Sequence, residues 1–172
     1  MSLPSGLTAG IGRHCEAGFK DALSGLAWAR ERKGRSADVW PPLGEAMGIL
    51  RRYALDGSES ERGDRQATPE EAMGLVWVAG CCRIAARALL RESDASGAMT
   101  LVGAAANAVS HLPVEFRERA EENWLLEGPI DEEEKRARSR LDEAGADAAF
   151  ARGYSMPWRD LLTTLEQRAG KQ

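Results

Sequence analysis

The chain has 172 residues, 43% of them hydrophobic and 29% charged, with a formal net charge of −4. These values belong to a folded globular chain and exclude wholesale disorder. The acidic balance excludes a protein that grips nucleic acid over its whole surface, because phosphate binding leans on clustered Lys and Arg.

At this length one domain spanning residues 1–172 can bury roughly 70% of its unfolded surface, so its core needs no disulfide or metal staple. Charge is uneven along the chain. Residues 1–66 carry 10 basic and 9 acidic side chains, and residues 67–172 carry 13 and 18. The three cysteines, Cys15, Cys81 and Cys82, form no framework spacing. That usage, with no secretory start, predicts a reducing, cytoplasmic setting. An Ala-, Gly- and Arg-rich composition points to a bacterial or phage source.

Helical periodicity dominates. Ile11, Cys15, Phe19, Leu23 and Leu26 share one face of a first helix predicted over residues 7–33. Gly18, Ala22, Gly25 and Ala29 form a second stripe, best tolerated where another backbone comes close. Residues 34–42 read as a loop closed by Pro41 and Pro42. Leu43, Met47 and Leu50 predict a short second helix. A polar, mobile loop is expected over residues 56–67.

Thr68, Pro69 and Glu71 form the clearest helix start, a cap, a first-position proline and a capping box. The third helix then runs to about Arg91. It is apolar over most of its circumference, which predicts a central position. The stretch from Ala72 to Leu90 is the most apolar in the chain, yet Arg83 and Arg87 interrupt it, so a buried helix is expected rather than a membrane span. Ser93 to Gly97 reads as a break before a fourth helix from Ala98 to His111. Pro113 opens a fifth, carrying Phe116, Ala120 and Trp124. Asp131 caps a sixth, where Glu132 with Arg136 and Glu134 with Arg138 are favourable i,i+4 pairs. Its apolar stripe is Ala137, Leu141, Ala144 and Ala148. Pro157 opens a last helix lined by Trp158, Leu161, Leu162, Leu165 and Ala169. The fold expected is all-α, one bundle of about six or seven helices around the helix near residues 69–91, without strands or solenoid repeats.

Sites of chemistry are scarce. Cys81 and Cys82 are adjacent, as are His14 and Cys15, so neither pair converges on a metal, and Glu-x-x-His is absent. No P-loop, Gly-x-Gly-x-x-Gly or Gly-x-Ser-x-Gly occurs. No cofactor is therefore expected. His111 reads as a helix-end cap. Glu118 and Glu121 match half of the Mg²⁺-binding pattern of helical nucleotide pyrophosphohydrolases. The other half fails, because the residue three after Glu143 is Ala146.

Two basic features remain. Arg83, Arg87 and Arg91 step by four along the third helix. Either they pair with acids of the fifth and sixth helices, or they line a groove for an anion, a role suited to the forked guanidinium. Arg30, Arg32, Lys33 and Arg35, with Arg51 and Arg52 expected near them in the fold and Trp40 in the same loop, could bind nucleic acid by charge and stacking, or be a solvated helix end. Trp77, Trp124 and Trp158 read as core, whereas Trp28 and Trp40 would be interface anchors if exposed.

The candidate binding residues are thus Arg83, Arg87, Arg91, Arg32, Lys33, Arg35 and Trp40. The leading functional reading is a non-enzymatic adaptor, subunit or inhibitor that binds a protein partner, with the acid-rich face as a docking surface for a basic one and homo-oligomerisation through the small-residue stripes considered beside it. A subunit of a nucleic-acid complex comes second. A helical enzyme or ligand receptor with a site assembled from distant residues comes third.

Overall fold

A computed structural model of the chain describes residues 23–54, 69–114, 116–117 and 131–170. These residues form an all-α bundle, with no strand among them. The helices are α1 (residues 23–32), α2 (Trp40–Ala54), α3 (Pro69–Arg91), α4 (Ala95–Ser110), α5 (Asp131–Arg138), α6 (Glu143–Tyr154) and α7 (Trp158–Ala169). A short 3-10 turn, Ser36–Val39, precedes α2.

The central helix is α3. Val78, Ala79, Cys81, Cys82, Ala85 and Ala86 are fully buried, and only Met73 among its apolar residues is exposed. Other elements pack around it. α1 lies alongside through Ser24 at Cys81 and Glu31 at Arg91. α2 and α4 cover further faces, and α5 lies along its second half. α7 runs antiparallel to α2, because Arg51 reaches Thr163 and Glu166 while Gly44 faces Ala169. Leu43, Met47, Leu50, Leu161 and Leu162 close the core between them, each worth about 1.5–3 kcal/mol when removed from water. The segment Glu71–Arg91 is long and apolar enough to cross a membrane, but 89% of its apolar window is buried inside the bundle, as in any core helix.

Four expectations change. Residues 36–42 are not loop, because α2 begins at Trp40 with both prolines in its first turn. The first N–H groups of a helix have no intrahelical acceptor, so proline loses nothing there. Val39 and Trp40 are both fully buried, which draws this start inward. The fourth helix begins at Ala95, three residues early, because the Asp94 carboxylate accepts the Gly97 N–H at 2.8 Å and caps it. The expected sixth helix is two helices. Asp142 adopts an extended backbone and accepts the Gly145 N–H at 2.9 Å, which restarts the chain as α6. The buried face of α6 is accordingly Ala146, Ala149 and Gly153, while Ala144 and Ala148 are exposed. Finally, α1 turns Ser24, Ala27 and Glu31 inward and leaves Leu26 exposed, because its neighbour α3 offers Cys81 and Arg91 as partners.

Both expected i,i+4 pairs form, Glu132 with Arg136 at 3.7 Å and Glu134 with Arg138 at 2.8 Å. Arg138 also reaches Asp147 at 2.7 Å and so ties α5 to α6. The expected mobile loop at 56–67, Thr68, the N-terminal part of the first helix, and Glu118, Glu121 and Trp124 lie outside the described residues.

Candidate functional site

Helical spacing places Arg83 and Arg87 one turn apart, facing α5. Arg83 is 2% exposed, and its Nε and Nη2 donate to Glu133 Oε2 at 3.2 and 3.1 Å. Arg87 Nε donates to the other oxygen, Oε1, at 2.5 Å. One buried carboxylate therefore lies between two like charges that would otherwise repel. Both arginines hold α5 to α3 through this carboxylate, with side chains only 2% and 19% exposed.

Arg91, one turn further, has a different setting. Its Nε donates at 3.1 Å to Glu31 Oε1 on α1, a carboxylate only 5% exposed, while the arginine itself is 47% exposed. Glu31 is the single acid inside the basic run of residues 30–35, and burial on the inner face of α1 sets it apart from its neighbours.

Next to Arg91 the chain turns out of α1. Gly34 adopts φ +74°, a left-handed conformation that glycine takes without strain. Arg91 Nη1 stands 3.8 Å from where a Cβ on Gly34 would be. Arg91, alone of the three arginines in line on α3, thus meets the basic run of residues 30–35 at one corner of the bundle. Arg32, Lys33 and Arg35 are all exposed there. Arg30 Nη1 donates to the Asp38 carbonyl at 2.8 Å, and Arg35 pairs with the Asp38 carboxylate. Arg32 lies over the Trp28 ring, 5.4 Å from its centroid. Among the described residues, Arg30, Arg32, Lys33, Arg35 and Arg91 thus share this shoulder with Glu31 and Asp38. Arg51 is elsewhere, about three turns along α2 and bonded to Thr163 and Glu166.

Trp40 is not at the surface. It is fully buried, and its indole N–H donates to Glu92 Oε1 at 2.8 Å. The Arg168 guanidinium lies 5.1 Å from its ring centroid and also bonds Glu92 at 2.8 Å and Asp94 at 3.2 Å. Trp40 therefore acts as a clasp between the start of α2, the α3–α4 turn and the end of α7. Sequence spacing gave no sign of Glu92, Asp94 and Arg168 as its neighbours.

Among the described residues, no group of three His, Cys, Asp or Glu could hold a metal. Cys81 and Cys82 are buried, and Ser24 Oγ lies 3.8 Å from Cys81 Sγ. Burial first, and the neighbouring Cys81 second, push the Cys82 thiol well above its ordinary value, so it stays protonated and is no nucleophile. His111 Nδ1 donates to the Asn107 carbonyl at 2.8 Å and closes the end of α4. A shallow cleft of about 350 Å³ between α2 and α7 is lined by Pro41, Gly44, Glu45, Glu166 and Ala169, and Glu166 already pairs with Arg51. No family model, curated protein or solved structure matches the chain.

Proposed function

We propose that the protein is a non-enzymatic helical interaction module that docks an acidic segment of a partner protein on the shoulder formed by Arg32, Lys33, Arg35 and Arg91. The observation that carries this reading is the meeting of Arg91 from α3 with the Gly34 turn after α1, which concentrates exposed cations at one corner of an acidic molecule. Complementary charge of this kind steers association and sets orientation.

A protein partner is favoured over nucleic acid on three grounds. Among the described residues the shoulder offers no open stacking platform, since Trp40 is buried and the Trp28 ring lies beneath Arg32. Its footprint is short of the roughly 6–10 phosphate contacts that make nucleic-acid binding strong. The net charge of −4 repels a long polyanion but is screened beyond about 8 Å from a short acidic segment.

The test is a fluorescence anisotropy titration with a labelled oligoglutamate peptide and with an oligothymidylate of equal charge. The peptide is expected to bind, more weakly as salt rises, and Arg32→Glu with Lys33→Glu is expected to abolish binding. Peptide binding that ignores both salt and charge reversal would overturn the reading. Tighter, salt-dependent binding of oligothymidylate would transfer the shoulder to nucleic acid.

A further inference from the structure

Within that docking reading, on which this inference rests, the geometry points to Arg91 as the residue that selects the docked group: it receives a partner carboxylate end-on across Nη1 and Nη2. A guanidinium has five N–H donors in a rigid plane. One of them, on Nε, is taken by Glu31, whose carboxylate is buried on the side of α1 that faces α3. Among the described residues no hydrogen bond reaches either terminal nitrogen. The side chain is thus pinned by its inner edge and open at its outer edge, and nearly half of it is exposed.

Pinning matters because an unrestrained surface arginine loses rotamer freedom when it binds, which cancels much of the gain. Here Glu31 has already fixed the plane. Nη1 of that outer edge lies beside the Gly34 turn, 3.8 Å from where a Cβ would be, and the exposed Lys33 stands in the same turn. Arg83 and Arg87 differ, since they share the one buried carboxylate of Glu133, which takes Nη2 as well as Nε of Arg83, and their side chains are only 2% and 19% exposed. A carboxylate matches the two-pronged edge in width and plane, whereas a lysine ammonium in the same place would supply charge without the fork.

The experiment measures oligoglutamate affinity and its salt dependence for the full chain and for Arg91→Lys, Arg91→Ala and the Arg32→Glu/Lys33→Glu double variant, with circular dichroism confirming the helical fold of each. Arg91→Lys is expected to weaken binding about tenfold while keeping the salt slope of the unmodified protein. Arg91→Ala is expected to weaken it at least as much and to flatten the slope. Rescue of full affinity by Arg91→Lys would reduce Arg91 to a point charge and overturn this inference while leaving the docking reading intact. Failure of the double variant to alter binding would overturn the docking reading itself, and the inference with it.

Discussion

Gly103 of α4 and Gly153 of α6 stand at the same helix crossing, each where the other helix's backbone leaves no room for a side chain. A Cβ on Gly103 would lie 2.2 Å from the Phe150 carbonyl oxygen, and one on Gly153 would lie 1.7 Å from that of Thr100. In both cases the obstacle is backbone, which cannot swing aside. Gly103→Ala or Gly153→Ala should each destabilise the protein by about 1–3 kcal/mol, the cost of overpacking, despite alanine's better helix propensity. Urea denaturation measures this. Because the two positions share one contact, the double variant should lose less than the two losses added.

Glu133 makes a second stability prediction. Removing it would leave two guanidinium groups beside one another without their shared carboxylate. Glu133→Leu should cost about 3–5 kcal/mol, the usual price of breaking a buried pair from one side. Arg83→Met combined with Glu133→Leu should recover part of that loss. Because the pair is buried, added salt should change little, and a double-mutant cycle in denaturant separates these contributions.

The Trp40 clasp depends on the fork of Arg168, which reaches Glu92 with one nitrogen and Asp94 with the other while lying over the indole. Arg168→Ala should lower stability by about 1–2 kcal/mol, combining a cation–π contact with partly exposed ion pairs. Arg168→Lys should restore only part of it, since an ammonium cannot bridge both acids in plane. Thermal melting of the three proteins at low and high salt resolves the ionic share.

Alkaline pH tests the burial of Cys82. Folding raises its pKa above the ordinary 9.0, so the unfolded chain loses the proton first. Below that value the thiol contributes no pH dependence. Above it, unfolding releases a proton and stability falls as pH rises, by up to about 1.4 kcal/mol per pH unit for one thiol. Cys82→Ala should flatten the decline between pH 9 and 10, and in the native protein iodoacetamide should leave the peptide holding Cys81 and Cys82 unmodified by mass spectrometry.

The extent of α3 was legible because its ends are local. Pro69 marks the start, the capping pattern surrounds it, and the apolar run ends at Arg91 before Ser93 takes a positive φ. The last helix was legible for the same reason, since Pro157 opens it and Leu161, Leu162 and Leu165 recur at helical spacing. Asp94 and Asp142 were less so. Neither was read as a cap, because whether an aspartate starts a helix depends on which neighbouring face has a core to enter. The same limit hid the restart at α6 and the true inner face of α1.

By itself the sequence determined an all-helical chain, a central apolar helix and three arginines in line along it, because helical period, capping and charge spacing act within a few residues. Only the tertiary structure decided what those arginines do. Arg83 and Arg87 meet Glu133 and Arg91 meets Glu31 through contacts that span 46 to 60 residues of chain. Trp40 enters the core for a similar reason, as Glu92 reaches it from the α3–α4 turn and Arg168 from the end of α7. A charge is a partner or a docking point according to which elements close over it, and that is settled by packing across the whole bundle.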